Sequence, residues 1–337
     1  MVREEVDILD TYRRAGQAYK KAGLRGCKSA EEFHINLKSP GAEAARGMLA
    51  HGIYTDSKLG LVPAPEEAFN DLLLMLWACV TWLEYGSNVF TLTESLSAAL
   101  LLTEIKGITE EDLRLPFPCF MIRLPLETLP IHRNSEDPKE WASVISVHEF
   151  QKQDVRWVRL VAFSESSGLE CNINYPLKEI LENRAIIDVL RNTWAEPDIA
   201  SVIEDKTTQL GMQKIVVNLL MWLRSTGGMI SKTPEWRSPK NRERAKQEGL
   251  PTTWVMGREV KLSRELRDYA KDRVCNPRLP PKFSAGAKHI VRGHYKPKVA
   301  ARTGKEFVWV EPYWRNLDAA VSITHTYTNT EKDSHGG

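Results

Sequence analysis

ASVISVHEFQKQDVRWVRLVAFSE, residues 142–165, is the stretch that decides the fold class. Its apolar residues are mostly β-branched or aromatic and partly alternate with polar residues, a pattern typical of β-strands. The stretch PFPCFMIRLP, residues 116–125, has the same character and precedes it. We therefore predict that the centre of the chain forms an antiparallel sheet, with a loop at residues 132–140.

The segment before this sheet predicts helices. Residues 65–86 begin with a proline and two acids, and their apolar residues, including Trp77 and Trp82, cover nearly the whole circumference. This pattern predicts a central helix that is buried on most sides. A second helix is expected from Thr91, because Thr91 and Glu94 stand at the spacing of a capping box.

The patterns together predict an α+β fold with a helical N-terminal part, a central antiparallel sheet, and C-terminal helices with a small β element. Helices are expected at 4–22, 176–194 and 207–228, and a short strand followed by a helix at 254–274. The predicted regions are a helical N-terminal region (1–112), a central sheet plus helices (113–232), a basic C-terminal α/β region (233–324) and a disordered tail (325–337).

The composition is that of an ordinary soluble globular protein, with 337 residues, 42% hydrophobic and 27% charged. The five cysteines are odd in number and form no C-x-x-C pair, which argues against a zinc knuckle or a disulfide framework. The N-terminal residues lack the apolar core of a signal peptide. The longest apolar run, residues 72–83, is shorter than the roughly 20 residues that a membrane helix needs. We therefore expect a soluble cytoplasmic protein.

Charge is unevenly distributed along the chain. The segment from Lys232 to Arg315 contains 21 Lys and Arg against 9 Asp and Glu, whereas the rest contains 25 against 35. An acidic body joined to a basic C-terminal third indicates a polyanionic partner such as RNA. The alternative is that the two parts attract each other, or that the basic residues are simply solvated.

KHIVRGHYKPKVAARTGKEFVWVEPYWRN, residues 288–316, is the most unusual stretch of the basic third. It predicts a strand, a basic loop and a second strand, with Gly293 placed for a close backbone approach or a bulge. On a continuous strand, His289 and His294 point to opposite faces, so they cannot bind one ion together. No cysteine or third histidine completes a set of ligands in this stretch. We therefore predict neither a metal nor another cofactor.

An acid–base site is a second interpretation of this stretch. Arg292 and His294 would share a strand face, with Glu311 on the next strand, and such groups can serve phosphate transfer in RNA cleavage. The structural alternative is that Arg292 pairs with a carboxylate and His294 bonds to backbone. Motifs for binding nucleotides, for nucleophilic serine and for zinc hydrolysis are missing from the sequence, which argues against an enzyme of those classes.

A binding surface is a third interpretation, because basic and aromatic residues interleave here. The candidate binding residues are His289, Arg292, His294, Tyr295, Lys296, Lys298, Arg302, Lys305 and Trp309. The alternative is that the aromatic residues are core and the lysines are solvated. Phe307 and Trp309 fall on one strand face and Val308 on the other, which predicts that the second strand is covered on both sides.

Three motifs, WVMGREVKLSRELRDY (254–269), KHIVRGHYKPK (288–298) and GKEFVWVEPYW (304–314), resemble the C-terminal signature of a family found in phages, prophages and plasmids. This family includes a type V-A anti-CRISPR protein that acts on production of the effector nuclease. The H-x-x-R-G-H pattern falls on His289, Arg292, Gly293 and His294, and the strand tryptophan falls on Trp309.

The resemblance implies a non-enzymatic inhibitor that recognises the N-terminal segment of the nascent effector nuclease and lowers its production. The implied partners are the effector nuclease or its nascent chain, with RNA or the ribosome nearby, in the cytoplasm of a bacterial host and away from membranes. The alternative function is an RNA-binding or RNA-cleaving protein of a mobile element, such as a toxin-like nuclease.

Overall fold

A computed structural model describes the fold of most of the chain. The described residues are 8–26, 32, 39–43, 77–105, 108–131, 140–152, 154–164, 168–176, 199–225, 251–275, 289–291, 293–297 and 307–315.

Helices dominate the start of the described chain, and two runs of consecutive strands follow, one in the middle and one at the end. The helices are α1 (Ile8–Lys21), α2 (described over residues 77–84), α3 (Glu94–Leu102), α4 (Ile199–Ser225) and α5 (Arg264–Cys275), with a 3₁₀ turn at Glu110–Asp112. The strands are β1 (Asn88–Leu92), β2 (Cys119–Arg123), β3 (Pro130–Ile131), β4 (Glu140–Lys152), β5 (Val155–Ser164), β6 (Gly168–Pro176), β7 (Thr252–Met256), β8 (His289–Val291), β9 (His294–Pro297), β10 (Phe307–Val310) and β11 (Tyr313–Arg315).

The central sheet is mixed rather than purely antiparallel. Its strand order is β6-β5-β4-β2-β1-β7, and β3 also pairs with β4. The predicted strands β2, β4 and β5 are confirmed, and they pair antiparallel together with β6. The prediction of a wholly antiparallel sheet is wrong at β1, which runs parallel to both β2 and β7. Strands β1 and β7, from the predicted N-terminal and C-terminal regions, thus extend the sheet of the central region.

The start of α3 corrects the predicted helix cap. Thr91 lies in β1, and the cap is Thr93, whose side-chain oxygen accepts a hydrogen bond from the Leu96 amide at 3.3 Å. The Thr93 hydroxyl also donates to the Gly257 carbonyl oxygen at 3.0 Å. Gly257 has a φ of +82°, and a Cβ there would lie 2.3 Å from that of Leu96. The chain after β7 therefore passes directly against the first turn of α3.

Two hydrophobic cores lie on opposite faces of the sheet. One contains Phe90, Phe120 and Leu160 and is covered by α3, α4 and α5. The other contains Val144 and Phe163 and is covered by α1 and α2. The described part of the molecule is therefore a helix–sheet–helix sandwich, which agrees with the predicted α+β class.

The predicted burial of the tryptophan-bearing helix is confirmed for its described part, α2, which packs on the second of these faces. Trp77 is 2% exposed and Trp82 is fully buried. The Trp82 indole Nε1 donates to the Asn88 carbonyl oxygen at 2.9 Å. The guanidinium carbon of Arg159 lies 4.5 Å from the centre of the Trp77 ring, a cation–π arrangement inside the protein.

Some of the other predicted elements lie within the described residues and some lie outside them. Helices α1 and α4 and the strand–helix pair β7–α5 are confirmed. Residues 132–139 of the loop predicted at 132–140, residues 177–194 of the helix predicted at 176–194 and the predicted tail at 325–337 lie outside the described residues, whereas Glu140 and Pro176 belong to β4 and β6. Within the part of the chain that the structure describes, no helix has the length and apolarity needed to cross a membrane.

Candidate functional site

The described strands of the stretch 288–316 form two small antiparallel ribbons in one register, interrupted between Val291 and His294 on one side and between Val310 and Tyr313 on the other. Strand β8 pairs with β11, which places His289 opposite Arg315. Strand β9 pairs with β10, which places His294 opposite Val310. The predicted strand is interrupted between Val291 and His294, but the register is the same on both sides, because Val291 pairs with Tyr313 and His294 pairs with Val310. The relative facing of His289, Arg292 and His294 stays a prediction, since Arg292 and the side chain of His289 lie outside the described residues.

Gly293 occupies the break and touches the end of α3. It forms a parallel bridge with Thr103, and its carbonyl oxygen accepts a hydrogen bond from the Glu104 amide at 2.8 Å. A Cβ at Gly293 would lie 2.5 Å from the Thr103 Oγ1 and 3.1 Å from the Val310 carbonyl oxygen. The predicted close approach is confirmed, and glycine is required here for space.

The inner face of the ribbon formed by β9 and β10 packs on the protein core. Tyr295 and Trp309 are directly opposite each other. Tyr295 is 7% exposed, and its hydroxyl donates to the Asn218 carbonyl oxygen at 2.6 Å. Burial raises the pKa of Tyr295 well above its ordinary value. The Tyr295 ring therefore belongs to the core, not to the predicted contact surface.

Trp309 links the ribbon to two helices. Its ring meets that of Trp222 edge to face, with the ring centres 6.5 Å apart. Its indole Nε1 donates to the Thr103 Oγ1 at 3.3 Å, and the Thr103 hydroxyl in turn donates to the Ala99 carbonyl oxygen at 2.8 Å. Trp309 is only partly buried, and its contacts identify it as a residue that positions the ribbon.

Asn218 is the buried centre of this attachment. Its side-chain Nδ2 donates to the carbonyl oxygens of Leu100, at 2.8 Å, and Thr103, at 3.1 Å. These acceptors lie at the end of α3, where the Leu100 carbonyl oxygen also accepts a hydrogen bond from the Thr103 amide at 3.2 Å. The residue therefore joins α4 to α3 through its side chain and to the ribbon through its own carbonyl oxygen. Sequence reasoning missed Asn218, although an amide inside an apolar helix indicates a required hydrogen-bond partner.

The outer face of the same ribbon is open to solvent. Lys296 and Val308 are cross-strand partners, and both are exposed, Val308 at 47%. His294 and Val310 form the next pair along and are partly buried. The prediction that the second strand is covered on both sides is wrong at Val308. We call Lys296, Val308, His294 and Val310 the outer face.

Most of the remaining candidate binding residues lie outside the part of the chain that the structure describes. Arg292, Lys298, Arg302 and Lys305 lie outside the described residues. His289 is described in its backbone, as part of β8. On the neighbouring ribbon, Tyr313 of β11 is 46% exposed. Among the described residues, no group of three His, Cys, Asp or Glu side chains is arranged to hold a metal ion.

Comparisons with known proteins identify one family. The model of the AcrVA2-like family, described as anti-CRISPR type V subtype A2, matches residues 90–317. A crystal structure of AcrVA2 is similar with a TM-score of 0.43 and 13% sequence identity, over 90% of this chain and 96% of the solved one. A search of the curated proteins finds no match.

Proposed function

Because this chain belongs to the AcrVA2-like family of anti-CRISPR type V subtype A2 proteins, we propose that it lowers production of a type V-A effector nuclease by binding the N-terminal segment of the nascent chain. Membership of the family supports the broader role, which is inhibition of a type V-A CRISPR system. Recognition of the nascent chain and the loss of production are the proposed mechanism.

The family match is the observation that carries this proposal. It extends from the middle of β1 through both C-terminal ribbons. The matched part therefore contains the helices α3, α4 and α5 together with the ribbon of β9 and β10, which contacts α4 and the end of α3. A protein that acts by binding needs a rigid surface, and the hydrogen bonds of Asn218 and Thr103 supply rigidity.

We place the proposed contact on the ribbons and the basic residues around them. The proposed contact residues are His289, Arg292, His294, Lys296, Lys298, Arg302 and Lys305. Trp309 holds the outer face in position through its contacts with Trp222 and Thr103. Tyr295 serves the same purpose from the core.

Co-expression with recoded effector genes tests this proposal. One gene carries synonymous codons in its N-terminal segment, so that the RNA changes and the peptide does not. A second gene carries paired frameshifts around that segment, so that the peptide changes and the RNA changes little. We expect the inhibitor to lower effector protein and message for the first gene and to spare the second. The reverse pattern would show recognition of RNA and would refute nascent-chain binding.

A direct assay separates this function from RNA cleavage. Purified protein is incubated with labelled single-stranded and structured RNA in the absence of any partner. We expect intact RNA. Cleavage that disappears in His294→Ala would overturn the non-enzymatic proposal and favour the toxin-like nuclease.

A further inference from the structure

We propose that the outer face reads an extended peptide segment in which a carboxylate side chain and an apolar side chain stand two positions apart. This inference rests on the proposed function, because the segment would belong to the N-terminal region of the effector nuclease. It goes further by naming the two side chains that make the contact, Lys296 and Val308, and the chemistry that they select.

The exposed pair supplies two different interactions side by side. Directly opposed residues of an antiparallel pair have Cβ atoms about 5 Å apart, so one peptide can touch both Lys296 and Val308. In an extended peptide, side chains on the same side repeat every second residue, about 7 Å apart. The flexible lysine side chain spans the difference and brings its ammonium group to the carboxylate.

Charge around the ribbon favours an acidic partner. Lys296 is the exposed cation of β9, one residue before the strand ends, and it lies in a third of the chain that is rich in Lys and Arg. Electrostatic complementarity of this kind raises association rates and excludes basic segments. The apolar Val308 beside the cation restricts the partner further, because its 47% exposed side chain gains from being covered.

The position of the Tyr295 and Trp309 rings on the inner face favours a peptide over RNA as the ligand of the outer face. Proteins that bind single-stranded RNA stack bases on exposed aromatic side chains. Here the rings of Tyr295 and Trp309 lie on the inner face and contact α4 and the end of α3. The exposed pair on the outer face is aliphatic and cationic, which suits an apolar side chain and a carboxylate.

Fluorescence anisotropy with labelled synthetic peptides tests the inference. The peptides tile the N-terminal segment of a type V-A effector, and the full chain is titrated against each. The variants are Lys296→Glu and Val308→Ser. Lys261→Glu is the matched charge control, because Lys261 is an exposed lysine of the same basic third. Val155→Ser is the matched apolar control, because Val155 is an exposed strand valine at 43%.

We expect a peptide with the stated spacing to bind, and each outer-face variant to weaken it by about fivefold or more while the controls change little. Replacing the peptide carboxylate by lysine should weaken binding to the original protein and restore binding to Lys296→Glu. Equal urea midpoints for all variants would exclude loss of folding as the cause.

Three results would overturn the inference, and they differ in whether they also contradict the proposed function. If a peptide binds but the outer-face variants behave like their controls, the contact lies elsewhere and the proposed function survives. If no peptide of the segment binds, the proposed function fails as well. If labelled single-stranded RNA binds through Lys296 and the peptides do not, the face reads a nucleic acid.

Discussion

Replacing Gly293 by alanine tests whether the two ribbons depend on their contact with the end of α3. The added Cβ would lie 2.5 Å from the Thr103 Oγ1 and 3.1 Å from both the Pro312 Cδ and the Val310 carbonyl oxygen. Thr103 is 1% exposed, so its side chain has little room to move away. Rotation of Thr103 would break its hydrogen bonds to the Ala99 carbonyl oxygen and from the Trp309 indole.

The expected cost follows from these contacts. Two lost hydrogen bonds contribute about 1 kcal/mol each, and overpacking of a filled site costs about 1–3 kcal/mol. Alanine also restricts the unfolded chain, which offsets about 0.4–1 kcal/mol. We therefore expect Gly293→Ala to lower the free energy of unfolding by roughly 2–4 kcal/mol.

Urea unfolding of a double-mutant cycle measures this cost and assigns it to Thr103. Thr103→Ala removes the closest atom, so Gly293→Ala should cost at least about 1 kcal/mol less in that background. Thr103→Ser keeps the Oγ1 and should give no such relief, which makes it the matched control. A Gly293→Ala change within about 0.5 kcal/mol of the original protein, or a cost independent of Thr103, would refute the reasoning.

Three further predictions concern the buried groups. Trp77→Ala should lower the free energy of unfolding by about 3–5 kcal/mol in urea titrations, because its ring is buried against Arg159; an unchanged midpoint would contradict that packing. Burial raises the pKa of Cys79 to about 12 and that of Cys119 further, so iodoacetamide at neutral pH should label neither thiol before urea is added, as mass spectrometry can show. Burial raises the pKa of Tyr295 above its ordinary value of 10.0, so its contribution to stability is complete below that pH and is lost as the pH rises above it. Tyr295→Phe should therefore flatten the alkaline fall in stability by about 1.4 kcal/mol per pH unit, and an unchanged slope would count against burial of the hydroxyl.

Local patterns were sufficient to predict most individual elements. The alternation in residues 142–165 correctly indicated β4 and β5, and the apolar helix at 207–228 forms the C-terminal part of α4. Each of these elements has apolar residues at the spacing of its buried face, so the spacing and the residue types are enough to predict the element. The buried part of α2 was predicted for the same reason.

Strand β1 and its parallel pairing with β2 and β7 were not predicted, because the pairing joins segments that are far apart in the sequence. Strand β1 has only five residues, and its register with β7 joins Phe90 to Trp254. Nothing within β1 specifies that partner. The N-cap of α3 was assigned to Thr91 instead of Thr93 because both threonines precede Glu94 closely. The pairing of Thr91 with Arg123, which places Thr91 in β1, is not visible in the local sequence.

The strands of residues 288–316 were predicted, but the buried and exposed faces of β9 and β10 were not fully predicted. Sequence reasoning named Tyr295, Lys296 and Trp309 as one set, whereas pairing in the ribbon separates Lys296 from the two rings. That separation follows from alternation along β9 and β10, because Lys296 pairs with Val308 whereas Tyr295 pairs with Trp309. A strand pattern alone does not show which of the two faces packs on the core.

The inner and outer faces of the ribbon place different constraints on substitution. Gly293, Tyr295 and Trp309 hold the ribbon on α3 and α4, so substitutions there act on folding before they act on binding. Lys296 and Val308 alternate with them but face solvent, where substitutions usually change stability by about 0.5 kcal/mol or less. The outer face is therefore free to change while the inner face keeps the fold. Because sites can diverge on a constant frame, the residues that hold the ribbon and those that we propose to select a peptide can be neighbours in sequence and still have separate physical roles.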